Sequence, residues 1–427
     1  MRPGTWRAAV TAAALFCIVY PGPPASAASA PAVPRALTAK ETAAWQALVV
    51  QAEAARAAGK WDELERVSRK RVVIEQRAYG LEAAVTAVSW SWIGQALVRQ
   101  GRDAEAEPFY RRALEIDRKA LGDRDPQTLL AISNLAGVLE RRDRFAEAEP
   151  LRRDLLAASR AMFGAMSAEA AAAAVALADV LRAQAKPREA EPLYRLAVEI
   201  DTGLLGETAP QLSADLGSLA ATLDELGRHV EAEPLHRRSL TLRREAFGER
   251  DAATAQAYAR MGANLDAQGR HGEAEPLLRL ALATDRDVRG DKHAATASDA
   301  AALGGNLNAQ NRPREAEPLL REALAVRRRL LGEEHADTGA SYGALGDNLA
   351  ARGKRAEAER LHRRALAIIR AACGENDPAT AEAYAALADD LNALGHYREA
   401  EPMLRKALDV RRAALGERHP ATATSYD

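Results

Sequence analysis

Cys373 and the eight histidines are the residues whose types could support nucleophilic or metal chemistry in this chain. The string Ala371-Ala372-Cys373-Gly374, with His335 upstream, is faintly similar to the sequence around a catalytic cysteine. The chain is built from an internal repeat, however, and Cys373 occupies the same repeat position as a set of apolar residues, namely Leu121, Phe163, Leu205, Phe247 and Leu331. We therefore expect Cys373 to be a buried, inert residue at the end of a helix.

No other spacing in the sequence indicates catalysis. The chain has no phosphate-binding loop, no Gly-x-Ser-x-Gly turn, no Cys-x2-Cys pair and no His-Glu-x2-His string. The histidines recur at repeat positions, so no metal site is expected. The sequence predicts a protein that is not an enzyme and that needs no cofactor.

Charged residues follow a more regular pattern. A glutamate precedes an arginine by one helical turn nine times, which is the favourable order for an ion pair along a helix. The pairs are Glu65–Arg69, Glu107–Arg111, Glu149–Arg153, Glu191–Arg195, Glu233–Arg237, Glu275–Arg279, Glu317–Arg321, Glu359–Arg363 and Glu401–Arg405. Because each arginine has its own glutamate, we interpret this pattern as a solvated, self-neutralised face and not as an anion-binding stripe.

These pairs belong to a repeat of about 42 residues that fills most of the chain. The string Glu-Ala-Glu-Pro begins at Glu105, returns at Glu147 and Glu189, and keeps this spacing without insertion or deletion. It changes to Glu-Ala-Glu-Arg at Glu357, and a degenerate first copy begins at Glu63. Nine copies therefore share one register, which indicates a solenoid whose repeats stack to bury their apolar faces.

Two stop signals divide each repeat into two helices. One position is glycine in all nine copies, from Gly80 to Gly416, and we expect it to end the second helix (helix B) in the left-handed region. The other position holds Gly, Asn or Asp, which tolerate positive φ, in every copy except the one with Ala185. Asp125-Pro126 is typical of the start of the first helix (helix A), and Pro108 should lie near the first turn of helix B.

Composition favours the same fold class. The hydrophobic residues reach 48% although aromatic residues make up only 4%, because alanine and leucine, which are strong helix formers, dominate. The 59 basic and 60 acidic residues give a net charge of −1, which excludes a strongly basic nucleic-acid-binding surface. The sequence predicts an all-α fold, a right-handed solenoid of antiparallel helix pairs.

The first residues are typical of a targeting segment. Arg2 and Arg7 precede an apolar run too short to span a bilayer, and Ala25-Ser26-Ala27 is a cleavage signal. We predict a signal peptide over residues 1–27, with a periplasmic or secreted product; an uncleaved N-terminal anchor is the alternative. The remaining expected segments are a short tether (28–37), a capping helix (38–58), the repeat array (59–416) and the start of an incomplete repeat (417–427).

The repeat resembles the tetratricopeptide repeat, in which a large residue, Leu-Gly, alanine and an aromatic residue follow at fixed offsets. One copy has Trp90, Ile93, Gly94 and Leu97, followed by Ala106 and Tyr110. The length of the repeat, which exceeds that of the usual tetratricopeptide unit, and the phrase Glu-Ala-Glu-Pro-Leu at residues 147–151 are similar to the repeats of kinesin light chains. A signal peptide followed by such repeats is also similar to the repeat region of bacterial proteins that end in a CHAT peptidase domain.

In tetratricopeptide arrays helix A lines the concave groove, so the resemblance implies that ligands meet the helix-A residues that point away from the core. The candidate partner-binding residues are Asn134, Asp179, Asp224, Glu225, Asp266, Asn308, Asp347, Asp389 and Asn392. Kinesin light chains typically carry an asparagine pair here, and only Asn134 keeps its position. The acidic character of the set favours a basic or extended peptide.

We predict an exported, non-enzymatic scaffold that binds a protein or peptide partner along its concave face. The alternative is a truncated or split repeat region of a CHAT-type protein, which would present or regulate a peptidase. Residues 417–427 open a further helix A without completing it. We therefore expect Leu404, Leu408 and Leu415 to be partly exposed, and this end to self-associate or to dock another chain.

Overall fold

The computed structural model describes residues 36–415, and every regular element in that range is an α-helix. The chain divides into two compact units, Met1–Leu226 and Gly227–Asp427. The helices of the first unit are α1 Ala39–Ala57, α2 Trp61–Tyr79, α3 Ala84–Arg99, α4 Asp103–Leu121, α5 Pro126–Arg141, α6 Phe145–Phe163, α7 Ala168–Ala183, α8 Pro187–Leu205 and α9 Leu212–Glu225. Those of the second unit are α10 His229–Phe247, α11 Ala252–Ala267, α12 His271–Arg289, α13 Ala294–Ala309, α14 Pro313–Leu331, α15 Ala336–Ala351, α16 Arg355–Cys373, α17 Pro378–Ala393 and α18 Tyr397–Leu415.

Odd-numbered helices are A helices from α1 to α17, and even-numbered helices are B helices. Within each unit every helix packs against the next one in the chain. The A helices of consecutive repeats also contact one another, as α3 does with α5 and α13 does with α15. The predicted all-α solenoid of helix pairs is confirmed.

The residues of the repeated string Glu-Ala-Glu-Pro differ in burial on the B helices. Its alanine, for example Ala106 or Ala274, is completely buried against the neighbouring helices. Its first glutamate, such as Glu105, is exposed, and its second, such as Glu107, is largely buried. Pro108 is the sixth residue of α4, so it lies inside the helix and not in the first turn as predicted.

The N-terminal helix α1, Ala39–Ala57, lies in the segment where we expect a capping helix. Thr38 is its N-cap, and the Thr38 hydroxyl accepts from the backbone N–H of Glu41 while the Glu41 carboxylate accepts from the backbone N–H of Thr38. This reciprocal pair satisfies two donors that a helix start otherwise leaves unpaired. The predicted signal peptide, most of the tether and residues 417–427 lie outside the described residues.

Both stop positions have the positive φ that the sequence predicts. The turn between helix A and helix B is left-handed even at Ala185, with φ 57°, so the repeat imposes this conformation on an unfavourable residue. At the ends of the B helices the expected left-handed helical region is wrong. Gly122 has φ 85° and ψ 169°, an extended positive-φ conformation that glycine reaches readily and other residues rarely do.

Cys373 contradicts the burial predicted for it. The side chain is exposed at the last residue of α16, and its apolar equivalents Phe163 and Phe247 are 39% and 55% exposed. The periodicity identified a shared position correctly, but that position faces solvent beside the glycine that ends each B helix. Predicting that Cys373 is buried, only because its equivalents are apolar, was therefore wrong.

We expect Cys373 to react with a disulfide reagent such as DTNB in the folded chain within minutes at pH 8. Partial burial and the Asp377 carboxylate raise the pKa of the thiol, so labelling should be several-fold slower at pH 7. The measurement uses a chain with Cys17→Ser, and the same chain with Cys373→Ser is the control. Labelling that requires denaturant would contradict the exposed position.

The last described helix, α18, carries the leucines that we expect to be partly exposed. Leu404 and Leu408 of α18 are half-buried, as predicted, whereas the side chain of Leu415 lies outside the described part. Self-association of this end stays a prediction.

Among residues 36–415, none of the helices combines the length and the hydrophobicity needed to cross a bilayer.

Candidate functional site

The A helices of each unit carry a stripe of residues that are exposed or half-buried. On α3 this stripe contains Val88, Trp92, Gln95 and Arg99, and each later A helix carries it at the equivalent repeat positions. We call it the helix-A face. Every candidate partner-binding residue lies on it or at its border, because residues spaced by one helical turn follow one stripe of a helix.

Three of the nine candidates are exposed on the helix-A face: Glu225, Asp347 and Asp389. Asp347 and Asp389 occupy equivalent positions on α15 and α17. Partial burial and the neighbouring Asp390 carboxylate raise the pKa of Asp389. The Glu225 carboxylate instead forms an ion pair with Arg182 of the previous A helix.

Three other candidates are half-buried; two of them link one repeat to the next, and Asp179 joins the two helices of one repeat. The Asp266 carboxylate accepts from the Asn306 amide at 2.6 Å, and the Asn308 side-chain oxygen accepts from the Asn348 amide at 2.7 Å. Asp179 accepts a hydrogen bond from the Tyr194 hydroxyl of the adjoining B helix. These side chains therefore hold the helices of the array together as well as bordering the face.

The remaining three candidates are half-buried. Asp224 lies one residue before Glu225 on α9. Asn134 lines a small cavity between α3 and α5 with Trp92, and Asn392 borders a depression at α18 with Tyr397. The structure therefore distributes the nine candidates along the A helices of two separate units rather than bringing them together in one cluster.

Buried asparagines on the A helices form a linkage that the sequence analysis missed. The Asn264, Asn306 and Asn348 amides donate to the carbonyl oxygen of the first residue of a preceding B helix, at 2.9, 2.9 and 2.7 Å. Their spacing of one repeat length was visible in the sequence. Only their burial shows that they join repeats and do not meet ligands.

His362 is the centre of a charged cluster in the second unit. It is buried on α16, and its Nδ1 lies 2.6 Å from an oxygen of the buried Asp390 of α17. Its Nε2 lies 3.2 Å from an Asp347 oxygen on α15. Burial alone would lower the pKa of His362, but the two carboxylates together raise this pKa above its usual value. The imidazole thus ties two A helices together.

The glutamate–arginine pairs on the B helices are all present, and their arginines are exposed as predicted. Glu401 is exposed as well, but the other glutamates are largely buried and are not the solvated residues that we predicted. The Glu107 side chain is only 9% exposed, and it meets Arg111 at 2.8 Å and Arg144 of the next turn at 2.6 Å. Glu275 repeats the arrangement with Arg279 and Arg312 at 2.7 Å each. Burial alone would raise the pKa values of both carboxyls, but these cations together hold the pKa values below the usual range. Glu107 and Glu275 therefore each link one repeat to the next.

A second buried feature that the sequence analysis missed is a set of carboxyl groups between B helices and the following A helices. Asp285 of α12 and Asp299 of α13 are 2% and 7% exposed and lie near each other. Burial, then the negative charge of Asp285, raises the pKa of Asp299 to about 7. Burial raises the pKa of Asp117 to about 7 as well. Within residues 36–415, however, no three acidic, histidine or cysteine side chains converge in a way that would hold a metal ion.

Comparisons with known proteins agree with this architecture. The sequence profile described as tetratricopeptide repeat matches residues 85–161, 169–245, 211–287, 253–329, 296–371 and 337–413. A search of curated proteins found no match. Among solved structures, the apo form of the quorum sensor NprR from B. thuringiensis is similar at a TM-score of 0.62 and 13% identity, over 86% of this chain and 98% of that one.

Two further solved structures are similar to the chain. A Rap protein complexed with Competence and Sporulation Factor is similar at a TM-score of 0.50 and 15% identity, over 88% of this chain and 97% of that one. BtubC (BKLC) from P. vanneervenii is similar at 24% identity and a TM-score of 0.42, over 59% of this chain and 94% of that one. The sequence profile matches well over half of the chain, in the register of the repeat. This chain belongs to the tetratricopeptide repeat family.

Proposed function

We propose that this protein is a non-enzymatic scaffold that binds a protein or peptide segment along its helix-A face. The observation that carries the proposal is the contrast between the two sides of the repeats. Most glutamates of the B-helix pairs are largely buried beside arginines, whereas the helix-A face presents small side chains and, at the equivalent positions Asp347 and Asp389, exposed carboxylates. A surface of this kind offers shape and dispersed polar contacts to an extended partner.

The charge of the helix-A face in the second unit favours a basic partner. On α15 the face carries Asp347, and on α17 it carries Glu382 and Asp389, whereas α13 has no charged side chain on it. Arg260 on α11 is a basic residue of the same face, so the acidic part begins after α11. Other positions on α13, α15 and α17 are small, such as Ala302 and Ala344. Lysine or arginine side chains could therefore approach the carboxylates without steric hindrance, and salt should screen that attraction.

The fold relatives are consistent with a ligand-holding role. One is a quorum sensor, and another was solved in complex with a factor. We also propose that the protein is exported, because of the segment before residue 28; the N-terminal sequence of the purified natural protein would test that directly.

Lysine-rich peptides should bind the full chain more tightly than acidic ones, and less tightly as salt rises. The probes are fluorescent, acetylated nonapeptides of alternating Lys and Ala or alternating Glu and Ala, titrated at 30 and 300 mM NaCl. The double variant Asp347→Asn with Asp389→Asn should bind the lysine peptide about tenfold more weakly, because two partly exposed ion pairs with the peptide are lost.

The matched control removes two carboxylates from the B helices, Asp287→Asn with Asp409→Asn, which changes net charge equally. Equal weakening in both double variants would show a non-specific charge effect. A preference for the acidic peptide would reject the proposed site.

A further inference from the structure

A small cavity opens on the helix-A face of the first unit, between α3 and α5. Its volume is about 50 Å³, which gives room for roughly three to four non-hydrogen atoms. All of its lining residues are uncharged. They are Val88, Ser91, Trp92 and Gln95 of α3 and Gln127, Leu130, Ala131 and Asn134 of α5.

The walls of this cavity have no counterpart in the side-chain pattern of the later repeats. The positions equivalent to Val88 and Trp92 hold Ala172 and Ala176 on α7, and they are again both alanine on α15. From α3 onward, large apolar side chains at these two positions occur only on α3 and α5, as Val88, Trp92 and Leu130. The pattern of large apolar side chains therefore singles out this pair of A helices.

The Trp92 ring, which forms one wall of the cavity, is held in place by two arginine side chains. The guanidinium carbons of Arg71 and Arg56 lie 4.7 and 5.0 Å from the ring centroid, within cation–π range. Arg71 is buried and pairs with Glu75, whose carboxylate accepts from the indole N–H of Trp45 at 2.9 Å. These links span α1, α2 and α3, so the wall is positioned before any ligand arrives.

Two amide side chains border the cavity without partners in the described structure. The Gln95 side-chain oxygen is buried and accepts no hydrogen bond within residues 36–415. The Asn134 side chain makes no hydrogen bond to any described residue either. The Gln95 oxygen is too enclosed for a ligand to reach, so of these two side chains the Asn134 amide is the one that a ligand can meet.

We infer that this cavity anchors an extended segment of the partner through one aliphatic side chain of valine or leucine size. The Asn134 amide, at the border of the cavity, pairs with a peptide group of that segment. The segment is uncharged at this point, because none of the lining residues carries a charge. The inference rests on the proposed function and names the partner chemistry that the first unit recognises.

The test uses the full chain, labelled with ¹⁵N, and heptapeptides acetyl-Thr-Ser-Thr-X-Thr-Ser-Thr-amide with X as Gly, Val, Leu or Phe. Val and Leu peptides should shift the side-chain amide signals of Gln95 and Asn134 and the indole signal of Trp92. Their dissociation constants should be at least fivefold lower than that of the Gly peptide. The Phe peptide should gain nothing, because a phenyl ring exceeds the cavity.

Ser91→Leu fills the cavity from its own wall and should abolish the preference for Val and Leu. Ala302→Leu adds the same side chain to the helix-A face of the second unit and should leave the preference intact. Affinity that is independent of X, or unchanged in Ser91→Leu, overturns the inference.

The pattern of shifts separates this inference from the proposed function. Signals that move at Asp347 and Asp389 but not at Gln95 and Asn134 overturn the anchor and leave the scaffold role standing. An absence of shifts with every heptapeptide at millimolar concentration also overturns the anchor. The lysine-peptide titration decides the scaffold role on its own.

Discussion

Gly304→Ala should destabilise the second unit by about 1–2 kcal/mol, whereas Gly305→Ala, one residue further along α13, should stabilise it by about 0.5–1 kcal/mol. A Cβ on the buried Gly304 would lie 2.7 Å from both Cγ and Cδ2 of Leu320 on α14. Leu320 is itself 1% exposed and has little room to move. A Cβ on the exposed Gly305 would meet nothing within 4 Å, so only the helix propensity changes.

Urea denaturation of the two variants and the parent chain, followed by circular dichroism, measures both effects. Gly262→Ala in the preceding repeat is an independent check, because its Cβ would lie 2.7 Å from Leu278 Cδ2. Equal signs for Gly304→Ala and Gly305→Ala would show that close A–B helix contact is not what requires glycine in this register.

The repeat, its helix boundaries and its caps could be predicted from the sequence because each depends on residues close together in the chain. The helix start at Asp125-Pro126 and the stop at Gly101 act over one helical turn. Because these signals recur in nine copies, an exception in one copy does not hide the pattern. Ala185, the exception at this position in the sequence, also has positive φ, because the turn between the helix pairs requires it.

Burial was less predictable, since it depends on the neighbouring repeat. Cys373 was placed in the core by its apolar equivalents, yet those residues share an exposed edge. Glu107 was placed in solvent by its charge, yet two arginines from another turn enclose it. Both errors came from assigning a side of the helix by residue type alone, without the geometry of the next helix pair.

The candidate site shows the same limit. The helix-A residues were proposed from the resemblance to tetratricopeptide arrays and from the repeat register, and all nine candidates lie on the helix-A face or at its border. The hydrogen bonds of these side chains could not be predicted, because Asp266 and Asn308 bond to partners about 40 residues away in the chain. Trp92 and Gln95 were overlooked because a large residue at one copy of a small-residue position gives no periodic signal.

Asp299→Asn should increase the stability of the second unit at pH 8 and leave it nearly unchanged at pH 4. In the folded chain Asp299 has a pKa of about 7, since it is buried beside the Asp285 carboxylate. In the unfolded chain an aspartate titrates near 4. Between those values the folded state holds a proton that the unfolded state has released, so stability falls as pH rises and is lowest once pH exceeds 7.

The shift of about three pH units corresponds to at most roughly 4 kcal/mol, and sharing of one proton by the two carboxyls should reduce it. Asparagine cannot ionise, and its amide can donate to the Asp285 carboxylate as the protonated Asp299 would. The stability of Asp299→Asn relative to the parent chain should therefore grow from pH 4 to pH 7 and then level off.

Urea denaturation of both chains at half-unit steps of pH isolates this contribution, because Asp117 and the other titrating groups are common to both. Asp287→Asn, an exposed change on the same B helix as Asp285, should show no such growth. If the difference between Asp299→Asn and the parent chain were constant at all pH values, folding would not shift the pKa of Asp299, and Arg289, which lies 3.4 Å from Asp285, would offset the burial of the pair. Because repeats contact only their neighbours, the effect should appear in hydrogen exchange of α12 and α13 and fade along the stack, which would make this carboxyl pair a local, pH-dependent weak point of the solenoid.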